Sequence, residues 1–264
     1  KECREFATHW INVQREEFKR LGVEGDWEHP YTTMTKPAEA RIVAEIGKFL
    51  MNGGLFRGSK PVLWSVVEKT ALAEAEVEYQ DHVSDTIWVK FPIVKAPLKE
   101  LVGAHVVIWT TTPWTIPGNR AVAYGDTFYY VALEVTAVAE GAKTRVGDKL
   151  LVAAALKDVF CKEAGIADAR EFWSGKGSAL KGIVTRHPFA DLDPYYARYE
   201  VPAHAGDFVT TEAGTGFVHI APGHGADDYD LGMAHGIEVP QTVAPDGTYF
   251  PHVGLFAGKR VLTP

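Results

Sequence analysis

The chain has 264 residues, 46% of them hydrophobic and 23% charged, and its net charge at pH 7 is −7. This length allows one large domain or two modest ones with a real core, and the composition is ordinary for a globular protein. The negative charge argues against a protein that grips long nucleic acid through a broad basic face, whereas a pocket for only the end of a nucleic acid stays compatible with it.

The two cysteines bear on the compartment. Cys3 and Cys161 lie far apart and form neither a CxxC motif nor a disulfide framework. We therefore expect a reducing compartment, the cytoplasm. Because residue 1 is lysine rather than methionine, we also expect the chain to be a piece of a longer protein.

Residues 1–80 are predicted to contain two helices. Apolar residues recur at helical spacing over 1–22 and again over about 36–52, and Thr35 is suited to cap the second helix. Glutamates alternate with small or apolar residues over 74–78, which predicts a strand with one face in water. A row of catalytic carboxylates is the alternative interpretation of those glutamates.

From about residue 83 the pattern changes to short strands separated by Gly, Pro and Asp. Strands are predicted at 87–93, 106–109, 127–135, 149–154, around 183 and 199, at 208–211 and at 217–220. Short helices are predicted at 155–163, ending at Gly165, and at 226–235. Many short strands with turn signals predict a closed or partly closed barrel.

The predicted fold class is therefore α+β, mainly β: a β-barrel with short helices, flanked by a helical N-terminal segment. We expect a flanking segment at 1–80, the barrel domain at 81–240, and a return segment toward the flank at 241–264.

Residues 106–124 hold the first candidate site. An apolar strand ends in Thr110, Thr111 and Thr112, and Pro113 stops the ladder because proline has no backbone N–H. Three hydroxyls thus stand where a rigid strand opens into a turn, a common way to present polar groups at a pocket. The alternative is a threonine-rich strand end with no function, since threonine favours strands for packing reasons.

Residues 214–229 form the second dense stretch. His219, His224, Asp227 and Asp228 cluster there and allow a metal site as one interpretation, although their spacing does not match a helical HExxH arrangement and no cysteine joins them. The alternatives are a hydrogen-bonded histidine at a strand end and aspartates in the first turn of a helix. No GxSxG, GxGxxG or GxxxxGK[ST] motif occurs, so nucleophilic serine chemistry and phosphate transfer lack support.

With both stretches in view, the chain resembles the class I aminoacyl-tRNA synthetases, and within them the inserted editing domain of the isoleucyl enzymes together with its flanks. The resemblance is carried by Trp-Thr-Thr-Thr-Pro-Trp-Thr at 109–115, by 117–122 and by 214–229, with support at 25–34, 56–64, 71–79 and 244–249. The related valyl and leucyl enzymes usually carry Arg-Pro-Glu or Arg-Pro-Asp where this chain has Thr112-Pro113-Trp114, which favours the isoleucyl group.

Two departures from the family pattern limit what the resemblance implies. The ATP-binding signatures HIGH and KMSKS are absent, so we expect no amino-acid activation and no cofactor for this chain, with ATP and Mg needed only by the full-length parent. Many members also carry a zinc-binding Cys-x-x-Cys where Ser65 and Glu68 stand here, so we expect no metal.

The resemblance implies hydrolysis of the ester of mischarged Val-tRNA(Ile). It assigns a catalytic set of Thr110, Thr111, Thr112, His219 and Asp228. The three threonines would contact the ester, the terminal ribose or the attacking water. His219 would line the amino-acid side-chain pocket, and Asp228 would bind the α-ammonium group.

Trp114 and Asn119 complete the implied substrate site by holding the terminal adenosine, one by stacking and one by hydrogen bonding. The implied partners are the 3′ end of tRNA(Ile) carrying valine and the remainder of the parent synthetase, with the chain itself a monomer. Two alternatives stay open: a module that binds the tRNA end but is inert alone, and a metal-dependent hydrolase.

Overall fold

The computed structural model describes residues 1–261. Contacts between Cα atoms divide the chain into two compact units, Lys1–Gly58 and the part from Ser59 onward. The domain boundaries predicted after residues 80 and 240 stay predictions. Residues 262–264 of the predicted return segment lie outside the described residues.

The first unit contains the two predicted helices, α1 (Glu2–Arg20) and α2 (Lys36–Met51). Thr35 caps α2 as expected, because its hydroxyl accepts a hydrogen bond from the N–H of Ala38 at 3.4 Å. Neither helix contains a buried residue, and large apolar side chains such as those of Phe6 and Phe49 are exposed. Both helix predictions are confirmed.

The second unit is built mainly from strands. Its elements are β1 (Trp64–Ser65), β2 (Thr70–Ala71), β3 (Ile87–Lys95), β4 (His105–Thr110), β5 (Ala121–Tyr124), β6 (Tyr129–Val138), β7 (Lys149–Ala153), α3 (Lys157–Ala164), β8 (Ile166–Lys176), β9 (Val184–Arg186), α4 (Pro194–Ala197), β10 (Glu200–Ala205), β11 (Phe217–Ile220) and α5 (Ala226–Ala234). Short 3₁₀ helices lie at Glu74–Glu76, Lys99–Leu101, Pro113–Gly118, Ala154–Leu156, Gly177–Leu180 and Pro251–Phe256.

Nine of these strands form one sheet in the order β11-β5-β10-β9-β3-β4-β7-β6-β8, and β1 pairs with β2 in a separate hairpin. The pairs β5–β10 and β4–β7 are parallel, and the other pairs are antiparallel.

The sheet rolls back on itself, so that β11 at one end of the order approaches strands of the other half. Thr215 lies just before β11, and its hydroxyl donates to the carbonyl of Val107 in β4 at 2.6 Å. The backbone carbonyl of Thr215 accepts the N–H of Ala153 in β7 at 2.8 Å. Tyr130 in β6 donates its hydroxyl to the carbonyl of Gly216 at 2.7 Å. Within residues 1–261, no strand ladder joins β11 to β8, so the structure shows a rolled nine-stranded sheet, and the predicted barrel stays a prediction.

Strand β4 is buried on both faces because its alternate side chains enter two cores. Val106 and Ile108 join the core inside the rolled sheet, while Val107 joins a second core that includes Phe160 of α3. The continuous apolar run that predicted a buried strand follows from this double burial. The predicted α+β, mainly β fold class is confirmed.

Two predicted strands are wrong. Residues 74–78 contain a 3₁₀ turn instead, closed locally by the Glu76 carboxylate, which accepts the N–H of Ala73 at 2.7 Å. Residues 208–211 form an irregular loop that starts from a turn, with the N–H of Val209 donating to the carbonyl of Gly206 at 3.3 Å. In both places local hydrogen bonds stabilise a turn, although the residue pattern predicted a strand.

Strand β8 was not predicted. In the described part of the chain it pairs only with β6, at the edge of the sheet. It carries charged residues at 168, 170 and 171, so its sequence lacks the apolar alternation by which a strand is recognised. The preceding helix α3 does end as predicted, at Gly165 with φ 74°.

Among the described residues, no helix combines the length and apolar character needed to cross a membrane.

Candidate functional site

A cavity of about 340 Å³ opens where the end of β4 meets β11 and the start of α5. Its lining comes from Trp109, Thr110, Thr111, Thr112, Thr115, Phe208, Thr210, Ala213, Gly214, Gly216, Phe217, Val218, His219, Ala221, His224 and Asp228. The structure therefore brings the three threonines, the histidine and the aspartate predicted as catalytic into one cavity.

The three threonines have different environments. Thr110 is only 7% exposed, and its hydroxyl accepts the N–H of Thr112 at 3.1 Å, which stabilises the turn at the strand end. Thr111 and Thr112 are exposed, and the hydroxyl of Thr112 lies 3.3 Å from that of Thr110. Of the three, Thr111 and Thr112 present their side chains to solvent, while Thr110 acts mainly on the turn.

Thr115 sets the protonation pattern of His219. Its hydroxyl donates to the carbonyl of Thr112 at 2.9 Å and lies 2.9 Å from Nε2 of His219. A hydroxyl has one proton, and the carbonyl can only accept, so Nε2 of His219 must carry a proton and donate it to Thr115. In the neutral ring, Nδ1 of His219 is then an acceptor, and this buried atom has no hydrogen-bond partner among the described residues.

His219 is neutral at physiological pH. Burial, with a smaller contribution from the neighbouring histidines His224 and His187, lowers its pKa to about 4. The ring is 7% exposed and is carried by β11, where it pairs in register with Val122 of β5. A neutral, weakly basic imidazole held on a strand is suited to shape a pocket and to accept one hydrogen bond.

His224 is a lining residue to which the sequence pointed only as a metal ligand. Its Nε2 lies 2.8 Å from the hydroxyl of the buried Thr242, and burial lowers its pKa to about 4. The ring of Trp114 packs edge-on against it with centroids 5.1 Å apart. A Cβ added to Gly118 would lie 3.1 Å from the His224 ring, so the lack of a side chain there makes room for the ring.

Asp228 offers one carboxylate oxygen to the cavity. Its Oδ1 accepts the N–H of Ala221 at 2.6 Å, while no described protein group bonds its Oδ2. Burial raises the pKa of Asp228, and the hydrogen bond from Ala221 partly opposes this rise. A Cβ on Gly225 would come within 2.4 Å of Oδ2, so glycine is required for this carboxylate position. The neighbouring Asp227 is exposed.

Trp114 and Asn119 lie outside the cavity lining. Trp114 is half-buried behind His224, and Asn119 is fully buried with its Nδ2 donating to the carbonyl of Ala121 at 2.8 Å. Their predicted contacts with a terminal adenosine stay predictions. Sequence reasoning missed Thr115 and His224 as lining residues; the signal for Thr115 was its position three residues after Thr112, one turn of a 3₁₀ helix.

The metal interpretation of 219–228 finds no support in the geometry. Within residues 1–261, no three His, Cys, Asp or Glu side chains come together as a metal site. The Nε2 atoms of His219 and His224 each face a threonine hydroxyl instead.

We expect the stability of the fold to fall in acid because of three buried histidines. The pKa of His187, His219 and His224 is lowered to about 4 in the folded chain, against about 6.5 in an unfolded one. Between these values the unfolded chain binds more protons, so the free energy of unfolding rises with pH. At pH 5 each histidine costs the folded chain about 2 kcal/mol relative to pH 7.5. The raised pKa of Asp228 has the opposite effect on the free energy of unfolding, but it is a single group against the three histidines.

Urea unfolding at pH 5 and 7.5, followed by tryptophan fluorescence, measures this difference. The variant His224→Gln keeps a side-chain amide where the imidazole was and removes one titrating group, so it should lose about a third of the pH dependence. An equal free energy of unfolding at both pH values would contradict the prediction.

Comparison with known proteins adds the family. A family model described as tRNA synthetases class I (I, L, M and V) matches residues 1–221. The isoleucine–tRNA ligase of Caulobacter vibrioides is 55% identical over 99% of this chain and 27% of its own length. The isoleucine–tRNA ligase of Gluconobacter oxydans is 52% identical over 98% of this chain and 27% of its own length. The chain thus spans about a quarter of the length of these curated relatives.

Two solved structures resemble the fold. The crystal structure of GlLeuRS-CP1 has a TM-score of 0.49 at 15% identity and covers 67% of this chain and 91% of that chain. The editing domain of the P. knowlesi cytosolic leucyl-tRNA synthetase has a TM-score of 0.42 at 12% identity and covers 58% of this chain and 64% of that chain.

Because the family model matches most of the length of this chain, the chain belongs to the class I tRNA synthetases of the I, L, M and V group.

Proposed function

We propose that the cavity hydrolyses the ester between valine and the 3′ end of tRNA(Ile). Family membership and relatives of about half identity named isoleucine–tRNA ligase support the choice of tRNA(Ile). Ligation of isoleucine with ATP and Mg is assigned to the longer parent protein.

The need for such a reaction follows from the small difference between the two amino acids. Isoleucine exceeds valine by one methylene group, which is worth only about 1–3 kcal/mol in an apolar pocket, and the isoleucyl enzymes are a known case of this limit. A second pocket can test size in the opposite sense by admitting valine and excluding isoleucine.

The observation that carries the proposal is the Oδ2 atom of Asp228, which no group within residues 1–261 hydrogen-bonds and which lies in the same cavity as the threonine hydroxyls. A carboxylate with one oxygen held by Ala221 and the other free is suited to bind the α-ammonium group of an aminoacyl ester. The exposed hydroxyls of Thr111 and Thr112 can hydrogen-bond the ester or a water molecule. His219 adds a neutral wall to the cavity.

The proposed chemistry needs no protein nucleophile. A water molecule, oriented by the threonine hydroxyls and by the free hydroxyl of the terminal ribose, attacks the ester carbon. The new bond joins the water oxygen to the acyl carbon, the ester bond to the ribose breaks, and the ribose oxygen takes a proton as valine leaves. Thr110 supports this arrangement through the backbone of Thr112. His219, whose pKa is about 4, acts as a pocket wall and not as a strong base.

Trp114 and Asn119 are proposed to support the terminal adenosine of the tRNA. The proposal also includes a monomeric chain in the cytoplasm, with the rest of the parent synthetase as its covalent partner. Cys3 and Cys161 are both free thiols, in keeping with that compartment.

The test is a deacylation assay with the purified chain and radiolabelled Val-tRNA(Ile), with Ile-tRNA(Ile) as the matched substrate. We expect valine release well above the spontaneous rate and little release of isoleucine, with no loss of activity in EDTA. Binding without hydrolysis would favour the inert tRNA-end-binding module, and loss in EDTA would favour the metal-dependent hydrolase. Trapping a covalent acyl-enzyme would contradict the water mechanism.

A further inference from the structure

The 3₁₀ helix Pro113–Gly118 is held by two side chains that do not line the cavity. Thr115, in its middle, carries the hydroxyl that bridges the carbonyl of Thr112 and Nε2 of His219. The carbonyls on either side of Thr115 accept hydrogen bonds from two distant side chains. Tyr249 donates its hydroxyl to the carbonyl of Trp114 at 2.5 Å, and Nε2 of His187 lies 3.1 Å from the carbonyl of Ile116.

His187 can serve only as a donor to Ile116. Its Nδ1 accepts the backbone N–H of Phe189 at 3.2 Å, so in the neutral ring the proton is on Nε2. The ring is 1% exposed and stacks on Tyr196 with centroids 4.6 Å apart and planes 19° apart. Burial lowers its pKa to about 4, so this tautomer persists through neutral pH.

Tyr249 belongs to the predicted return segment, outside the predicted barrel domain. Its side chain is 5% exposed, its ring packs against Phe256 at 5.6 Å, and its backbone N–H donates to the carbonyl of Lys259 at 2.9 Å. Burial raises its pKa to about 12, so the hydroxyl keeps its proton over the working pH range. Thr242 of the same segment contacts His224 in the cavity wall.

We propose that Tyr249 and His187 are positioning residues of the cavity: they hold the carbonyls on both sides of Thr115 and thereby fix its hydroxyl against His219. The kinetic consequence rests on the proposed function, whereas the consequence for the His219 ring does not. The return segment, through Tyr249, is accordingly part of the site.

The physical reason lies in the weakness of the 3₁₀ helix itself. Such short helices have poor internal hydrogen-bond geometry, so side-chain donors from outside decide where their backbone lies. Loss of the Tyr249 hydroxyl removes the side-chain donor to the Trp114 carbonyl. Loss of the His187 donor leaves the Ile116 carbonyl with only the N–H of Asn119, at 2.9 Å. Either loss lets the segment shift, and a site depends on support that holds its groups within about 0.5 Å. The Thr115 hydroxyl would then no longer keep the proton on Nε2 of His219.

The experiment combines ¹⁵N NMR of histidine-labelled chain with deacylation kinetics. In the unaltered chain, the His219 signals, assigned with a His219→Gln variant, should show one neutral tautomer with the proton on Nε2. Tyr249→Phe removes only the hydroxyl. We expect it to populate both His219 tautomers and to lower kcat for Val-tRNA(Ile) about tenfold, with KM nearly unchanged.

The His187 variants test the second donor. His187→Leu should reproduce the effects of Tyr249→Phe, whereas His187→Gln, whose amide nitrogen can donate to the Ile116 carbonyl, should restore the single His219 tautomer and most of kcat. The matched control is Tyr196→Phe, which keeps the ring that stacks on His187 and loses a similar buried bond, from the Tyr196 hydroxyl to the carbonyl of Val253 at 2.7 Å, that involves no residue of Pro113–Gly118.

The proposal is overturned if Tyr249→Phe leaves the His219 tautomer unchanged, if Tyr196→Phe changes it as much, or if His187→Gln behaves like His187→Leu. Should Tyr249→Phe fail to fold, the His187 pair decides by the same criteria. An inactive unaltered chain whose His219 tautomer still responds to Tyr249→Phe would refute the proposed function and support the positioning role.

Discussion

Replacing Asp228 by alanine is expected to lower kcat/KM for deacylation of Val-tRNA(Ile) by about a hundredfold or more. A carboxylate and an ammonium group about 4 Å apart attract by ~4 kcal/mol at an effective dielectric near 20, before desolvation is subtracted. Because one oxygen of Asp228 is held by Ala221 and the other is free, the carboxylate is pre-oriented for this contact. Removing about 3 kcal/mol of binding in the transition state corresponds to roughly a hundredfold.

Two further variants separate charge from structure. Asp228→Asn keeps an acceptor for the N–H of Ala221 and removes the charge, so it should lose nearly as much activity as alanine while folding normally. Asp227→Asn neutralises the adjacent exposed carboxylate and should stay within about twofold of the unaltered chain. Full activity of Asp228→Ala, or equal losses in the two asparagine variants, would show that Asp228 does not bind the ammonium group.

Replacing His219 by alanine is expected to make the chain hydrolyse correctly charged Ile-tRNA(Ile). The imidazole is a buried wall of the cavity, and its removal opens space for the extra methylene of isoleucine. Since a methylene group accounts for about 1–3 kcal/mol, the ratio of valine to isoleucine hydrolysis should fall by roughly 10- to 100-fold. Deacylation rates on both charged tRNAs, measured side by side, give this ratio.

The control for His219 is His204→Ala. His204 is a half-buried histidine of β10 that stacks on His235 with centroids 3.8 Å apart and does not line the cavity. It should leave the valine-to-isoleucine ratio unchanged. If His219→Ala lost all activity toward both substrates while staying folded, the side chain would be needed for hydrolysis, and its role in setting pocket size would be refuted.

Local patterns predicted the elements whose stabilising contacts are local or repeated. The helix Lys36–Met51 has a threonine cap and an apolar stripe, and α3 ends at a glycine with φ 74°. Strand β4 was recognisable because burial on both faces demands a continuous apolar run. The strands predicted at 74–78 and 208–211 were wrong because the backbone there forms turns that are stabilised by local hydrogen bonds.

By itself, the sequence determined the mainly β fold class, the strand end at Thr110–Thr112 and the candidate set of threonines, His219 and Asp228. Only the tertiary structure decided which of these groups meet and in what state. Thr115 and His219 are 104 positions apart, and Trp114 and Tyr249 are 135 apart. Periodicity reports which face of an element is buried, whereas such contacts depend on strand pairing and on the rolling of the sheet. The tautomer of His219, the free oxygen of Asp228 and the two donors behind Thr115 follow from that arrangement.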